Sequence, residues 1–597
     1  MPPGKKTKWL STVAIGTTLY HLVTASGLLT FAGFFIPAVQ FRSVSLFLIL
    51  VMVYSLLISS TSRLRKKISY GLLLAMGSIG TLFPVLFYDR YLAYGYTGYL
   101  DSTGLVIVAL LVVSLIGAAR LRLGWPIPII IVVIGCTILF QQVLPGILRG
   151  PALSPHRFGF TVYVGSSGIF GIPFAVATTI IITFLVFGAV FEASGGGKWF
   201  IDLAMALTGR MAGGPAKASV VASGLFGMLT GSPSSNVATT GVFTIPLMKK
   251  YGMSPAFSGA VEAVASSGGM ILPPVMGAIA FVMAEWLGIG YPEVVVAAVT
   301  PAILYYVVLF ISVDFVARRD GLTRDAPAGE KVGAIFKNGW FYLLPIGLLV
   351  YLLLFKQLLP AWSALGALPV LIGVSFLSKN PGDHLSLQRV VKAFEGSCYR
   401  WLTVGIVTAS IGILMGSLEL SGLGVRISGF LVNLGAGNLF ITLLLVAGAS
   451  FVLGMGLDAL PAYITLAILT APALVKLGVP PVAAHLFVIY FGLASFITPP
   501  VCLAVYTACS ITGEDIWKTG LHAVKLGAAI FVVPFAFIYH PGLLLQGSFF
   551  EIAKATLTGL AGAAMIAGGL QGYFFWGKCN KTVRAFLTAA GLILIGI

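Results

Sequence analysis

The chain has 597 residues, 58% of them hydrophobic and only 9% charged, with a mean hydropathy of +1.02. A water-soluble domain carries about 25% charged residues, so a soluble globular protein is excluded and a polytopic helical membrane protein is indicated. The net charge of +18 does not point to nucleic acid. Lys and Arg stand in short clusters at the ends of apolar runs, KKTK (5–8), RLRKK (63–67), RLR (120–122), KK (249–250) and RR (318–319), a pattern that reports membrane orientation.

In chain order, crossings are expected at 10–37 and 43–62, joining a cytoplasmic N-terminus to the cytoplasmic RLRKK loop. The first run has no small-residue cleavage site and is read as a retained segment. Crossings at 69–88 and 103–119 return the chain to RLR, and 127–145 leads to a Pro-rich external loop, 146–164. A long helix, 165–192, then comes back to the cytoplasmic face. The stretch 218–248 begins and ends on that face and holds a polar run at 230–240, which predicts a helical hairpin that dips in and returns. A span at 255–287 is interrupted at SSGGMILPP (266–274), where Gly and two prolines break the helix. Spans at 294–314, 339–356, 358–377 and 402–418 follow, then a second hairpin at about 438–476, a second broken helix at 482–511 and C-terminal membrane helices in 542–597.

Part of this chain is written twice. At a spacing of 226 residues, TIPLMKKYGMSPAFSGAV (244–261) matches TAPALVKLGVPPVAAHLF (470–487), and GGMILPPVMGA (268–278) matches ASFITPPVCLA (494–504) with both prolines in register. At 227, FEASGGG (191–197) matches LELSGLG (418–424). The first copy enters from outside and the second from inside, so the repeats are inverted, an architecture typical of secondary transporters.

Each repeat places irregular backbone at membrane depth twice, at a hairpin tip (about 231–240 and 456–463) and at a break (266–274 and 494–500). Such backbone is tolerated only where protein or a water-filled cavity satisfies it. Freed carbonyls and Ser, Thr and Asn oxygens suit Na+, while helix N-termini suit a carboxylate. Ser232, Ser234, Ser235, Thr239 and Thr240 serve equally as caps or small packing residues. Asn236 at the first tip is costly to bury idle, and Ser266, Ser267, Ser495 and Thr498 flank the breaks. Asp458, at the second tip, is open to three functional readings: a cation ligand, a substrate contact or a proton acceptor; a plain salt bridge or solvated loop is the alternative. Glu262 and Glu285 are read as lying toward helix surfaces and ends. Glu192 and Glu419, before matching Ser-Gly-x-Gly turns, are expected to orient the connections to short arm helices at 199–210 and near 425–433.

At SNVATTGVFTIPLMKKYG, GAVEAVASSGGMILPPVMGAIAFVMAE and LGVPPVAAHLFVIYFGLASFITPPVCLA the chain resembles the large membrane subunit of tripartite ATP-independent periplasmic (TRAP) transporters, of the fused type that works with TAXI-class solute receptors. The resemblance covers essentially the whole chain and is most specific in 228–290 and 450–512. It implies that 1–123 is a fused four-helix small subunit, that 124–164 connects it, that 165–320 and 401–541 are the two repeats, and that 321–400 links them as scaffold. It also implies an all-α, inverted-repeat elevator with two re-entrant hairpins and two broken helices, sitting in the inner membrane. Na+ coupling, a small organic acid as cargo and delivery by a soluble external receptor follow from the same likeness, with no other cofactor. Carried over by motif, one cation site takes Ser235, Asn236, Gly268, Gly269 and Pro273. A second takes Gly456, Asp458, Ser495, Thr498 and Pro499. Substrate contacts are implied for Ser234, Asn236, Thr239, Ser267, Pro274, Asp458, Thr498 and Pro500. The sequence departs from the family pattern at Phe496, where Asp is usual, and at Asp458-Ala459, where Pro-Thr is usual.

Other classes are weaker. No HExxH occurs, the histidines are scattered, and EASGGGK lacks the leading Gly and the Ser/Thr of a phosphate-binding loop, so an enzyme is not expected. No ring of like charges suggests a channel. The rival is a stand-alone Na+/carboxylate symporter that needs no receptor. Inversion of the repeats has a direct test: single cysteines placed at Lys250 and Lys476 are expected to react with a membrane-impermeant thiol reagent from opposite faces. Labelling of both from one face removes the inverted topology.

Overall fold

A computed structural model describes residues 8–322 and 331–596. Lys5 and Lys6 of the first basic cluster, and 323–330 of the linking region, lie outside the described residues. The described residues are all-α apart from one two-stranded hairpin, Tyr573–Phe574 with Gly577–Lys578. Among the described residues nine helices are long and apolar enough to cross a membrane. Two compact units emerge: one of 1–193, 358–372 and 385–430, the other of 194–357, 373–384 and 431–597.

The first unit is built on helices Lys8–Ala25, Ala38–Ser60, Leu64–Leu86, Ser102–Leu123, Pro126–Leu139, Ile172–Ala193 and the 35-residue Leu387–Ser421. Three boundaries differ from expectation. The first crossing stops at Ala25, because Gly27 turns the chain at φ 75° into a single helical turn, Leu28–Phe31, and Pro37 holds the cap position of helix Ala38–Ser60. The Pro-rich loop 146–164 contains a helix, Pro155–Tyr163, for which Ser154 accepts the Arg157 N–H and Pro155 supplies the first position. The helix expected from 165 begins only at Ile172: the preceding segment carries Gly165, Gly168 and Gly171, and Pro173 fits a helix start. Helix 387–421 is the hub of this unit. Trp401 Nε1 donates to Ala177 O at 2.6 Å, Thr18 Oγ1 to Phe394 O at 3.0 Å, and the His21 ring stands edge-on to Trp401 at 4.4 Å.

The second unit holds both hairpins and both broken helices. Hairpin 1 is Gly214–Thr230 and Pro233–Lys250, turning at Gly231–Ser232. Hairpin 2 is Leu439–Gly454 and Ala459–Lys476, turning at 455–458. The tips are thus shorter than the polar runs that announced them. Residues 233–240 form the first two turns of a helix, since Ser232 takes the cap position and Pro233 the first helical one. The broken helices are Pro255–Gly268 with Ile279–Leu287 and Pro481–Ala494 with Leu503–Thr512. Both double-proline bonds, Pro273–Pro274 and Pro499–Pro500, are cis, and both are followed by a residue at positive φ, Met276 and Cys502.

The two copies exchange partners. The second arm of hairpin 1 packs on the far half of the second broken helix, 503–512, while the second arm of hairpin 2 packs on the far half of the first, 279–287. Close backbone approach holds hairpin 1 on its own broken helix. A Cβ on Gly269 would lie 2.6 Å from Gly227 Cα and 2.7 Å from its carbonyl carbon. Gly269→Ala is therefore expected to lower stability by about 1–3 kcal/mol, read as a drop in thermal midpoint. Gly448→Ala, in helix 439–454 with nothing within 4 Å of the new methyl group, is expected to leave the midpoint unchanged or raised.

Candidate functional site

Four helix ends in the second unit carry the groups singled out from the sequence. Asn236 sits in the first turn after the hairpin 1 tip and is fully buried. Its Nδ2 donates to Ser223 O at 2.7 Å, which fixes the amide orientation. Its Oδ1 is buried with no hydrogen-bond partner. Thr498, one residue before the second double proline, likewise has a buried Oγ1 with no partner. Leaving a buried polar atom unpaired costs about 1–3 kcal/mol, and both orphans are oxygens with free lone pairs.

The remaining residues divide by repeat. On the first, Ser235 is exposed and its carbonyl accepts Thr239 Oγ1 at 2.9 Å, Ser234 is half-buried, and the buried Ser267 hydroxyl turns back to Ala263 O at 2.8 Å. Gly268 packs against the Tyr305 ring and Gly269 against Gly227, with Pro273 and Pro274 half-buried beyond them. On the second, Gly456 turns at φ 76°, and Ser495 Oγ donates to Gly492 O (2.7 Å) and to Gly454 O (3.1 Å), closing hairpin 2 on its broken helix. Pro499 is half-buried and Pro500 exposed.

Not every freed carbonyl is open to a solute. Tyr305 and Tyr306, on helix Tyr291–Arg319, donate to Val264 O and Ala265 O at 2.7 and 2.8 Å, and Tyr291 donates to Pro274 O and Val275 O at 2.7 and 2.8 Å. Three tyrosines thus hold the first break, a role that no local sequence pattern announces.

The hairpin tips meet. Asp458 is the cap of helix 459–469, accepting the Ala459 N–H at 2.9 Å, and its accessible carboxylate also accepts Ser232 Oγ at 3.2 Å. Ser232 holds the N-cap position of the corresponding helix of hairpin 1, and the two residues are 226 positions apart, the spacing of the repeat. Equivalent positions of the two copies therefore touch.

Glu262 departs from its expected place. It lies in the middle of helix 255–268, is fully buried, and accepts hydrogen bonds from Ser219, Ser223, Thr240, Thr244 and Ser266. A helix surrounded on all sides has no outer face, which is why the surface reading fails. Glu192 is salt-bridged to Arg400 at 3.1 Å within the first unit. Among the described residues no group of three or more His, Cys, Asp or Glu stands together as a metal centre.

Residues 107–552 match the family model described as "Tripartite ATP-independent periplasmic transporter, DctM component". The chain is 24% identical over 441 residues to an uncharacterized protein, YgiK, of Salmonella typhimurium, covering 73% of this chain and 96% of that one. It is 24% identical over 360 residues to the isethionate TRAP transporter permease DctMQ of Oleidesulfovibrio alaskensis (59% of this chain, 55% of that one). With the C4-dicarboxylate TRAP large permease DctM of Vibrio cholerae it shares 25% identity over 400 residues (62% and 86%).

The tip contact is tested by a double-mutant cycle. Ser232→Ala and Asp458→Asn, singly and together, are expected to show a coupling of about 0.5–1.5 kcal/mol in unfolding free energy. Strict additivity removes the contact.

Proposed function

We propose, for a chain that belongs to the DctM component family of tripartite ATP-independent periplasmic transporters, that it imports a small carboxylate by Na+-coupled elevator transport, with the cargo handed over by a soluble external receptor. The chain is a multi-pass membrane permease and not an enzyme, as its relatives are permeases by name. The finer reading rests above all on the two orphan oxygens, Asn236 Oδ1 and Thr498 Oγ1. Hard oxygen donors left unpaired at helix interruptions suit a small alkali cation, and one lies in each repeat. In this reading Ser235, Asn236 and the 268–273 break hold one Na+. Gly456, Asp458 and the Ser495–Pro499 break hold the other. The cargo carboxylate lies against Ser234, Thr239 and Ser267 and the prolines Pro274 and Pro500, close to the N-terminus of helix 233–250, which favours negative charge.

A relative named for C4-dicarboxylates supports a small organic acid as cargo. The receptor is of TAXI type, residues 1–123 act as a fused small subunit, and the hairpins are re-entrant, with the N-terminus in the cytoplasm of an inner-membrane protein. The stand-alone symporter reading differs in one requirement, the receptor.

In reconstituted vesicles, uptake is expected only when an inward Na+ gradient and the cognate receptor are both present. Uptake of free substrate without receptor would favour the stand-alone symporter. Asn236→Ala and Thr498→Val are each expected to raise the half-saturating Na+ concentration about ten-fold, equivalent to about 1.4 kcal/mol of lost ligand interaction. An unchanged Na+ dependence in both variants removes these oxygens from the cation sites.

A further inference from the structure

Glu262 stands apart from the residues of the proposed Na+ and substrate sites, and its surroundings are built for one purpose. Oε1 accepts Ser223 Oγ at 2.7 Å, Ser266 Oγ at 3.2 Å and Thr240 Oγ1; Oε2 accepts Ser219 Oγ and Thr244 Oγ1, each at 2.6 Å. Three helices supply these groups, 214–230, 233–250 and 255–268. An isolated buried carboxylate is strongly disfavoured, and among the described residues no Lys, Arg or His side chain pairs with it. The titratable and charged groups on the packed elements are otherwise engaged or remote. Lys217 of helix 214–230 is bound to Asp314 at 2.5 Å, and Lys249 and Lys250 stand in the last turn of helix 233–250. Helix 291–319 presents Tyr305 and Tyr306, whose hydroxyls serve Val264 O and Ala265 O. Helix 503–512 brings Cys509. Helix 516–526 brings Lys518, Lys525 and His522, whose ring stands edge-on to Phe257 at 6.1 Å.

The second repeat shows that this cage is not a requirement of the fold. Counting by the repeat spacings, the positions of Ser219, Thr240, Glu262 and Ser266 fall on Val446, Leu466, Val488 and Gly492. Only Ser223 and Thr244 keep hydroxyl counterparts, Ser450 and Thr470, and these two bond to each other at 3.2 Å. The acid and three of its five donors, Ser219, Thr240 and Ser266, are thus replaced in the other copy by residues with no hydroxyl.

The cage also fits both charge states of the acid. Thr240 Oγ1 lies 2.9 Å from Asn236 O, and Thr244 Oγ1 lies 3.1 Å from Thr240 O, so each threonine has a backbone acceptor waiting one turn back. With Glu262 ionised, the hydroxyl protons point at the carboxylate. With Glu262 neutral, the threonines turn to those carbonyls and the acid O–H donates to Ser219 Oγ or Ser223 Oγ, both of which can accept. No heavy atom has to move. A metal cation has less to recommend it here, because five hydroxyls already crowd the two carboxylate oxygens.

We infer that Glu262 is a proton-binding site, taking a proton from solvent water and returning it, and that its charge state is read by hairpin 1 through Thr240 and the neighbouring Asn236. This goes beyond the Na+ reading and does not depend on it.

The test is infrared difference spectroscopy of the full-length purified protein, titrated with pH, which needs neither substrate, receptor nor Na+. The wild type is expected to show a protonated-carboxyl band that titrates within the pH range where the protein stays folded, and Glu262→Gln is expected to lack that component. Thr244→Val removes a donor to the charged form only, so it is expected to raise the midpoint by about one pH unit, a ten-fold gain in proton affinity. A band that survives in Glu262→Gln overturns the inference. If Glu262→Gln does not fold, Thr244→Val alone decides: an unmoved midpoint, or no titrating band in the wild type, also overturns it.

Discussion

A peptide group that leaves helical geometry inside an apolar medium has no water to turn to, and its unpaired N–H or C=O costs several kcal/mol unless protein or solute meets it. The second unit of this chain breaks two helices and turns two hairpins, so its construction is largely an exercise in finding those partners. At the first break the partners are phenol hydroxyls: Tyr291, Tyr305 and Tyr306 reach four carbonyls from one neighbouring helix. At the second, Ser495 turns its hydroxyl onto Gly454 O and Gly492 O. Among the described side chains of this unit five buried oxygens stay unpaired, Asn236 Oδ1, Thr498 Oγ1 and the hydroxyls of Ser312, Tyr490 and Thr519, and of these the first two stand at helix interruptions. Function is sought where the accounting fails to close, because a fold that caps so many groups elsewhere has the means to cap these two.

The features legible from the sequence were those that follow from chain composition and local chemistry. Apolar runs between basic clusters gave the spans, and the double prolines located both breaks, since Pro cannot continue a helix through its own ring. The repeat marked the equivalent hairpins and breaks of the two halves, while the exchange of partners between them is seen only in the packing. Errors came where a local rule met a stronger neighbour. The run 231–240 reads as a loop by composition, yet a Ser cap followed by Pro is a helix start, and the small polar residues after it tolerate helical geometry when packed. The helix at 155–163 was hidden by the prolines around it.

Glu262 was missed for a different reason. Within AVEAVAS a single acid among small residues gives no clue to which way it points, and its five donors are spread from Ser219 to Ser266. A signal existed nonetheless. Ser219 and Ser223, Thr240 and Thr244, and Glu262 and Ser266 are three polar pairs spaced four residues apart on three successive helices. That spacing puts each pair on one helix face. Polar stripes recurring on consecutive apolar helices face one another more economically than they face lipid. Asn236 shows the complementary case, where the residue was picked out from its type and place, but the unpaired oxygen required coordinates to see.

The contact between Ser232 and Asp458 carries a consequence for how such a molecule can arise. Two identical halves meeting on a symmetry axis would set like against like at that point, either two hydroxyls or two carboxylates, and a pair of adjacent negative charges repels. Here one half supplies the donor and the other the acceptor. That complementarity needs copies whose sequences differ at the contact, and two repeats within one chain meet that condition: the halves are unequal where they touch.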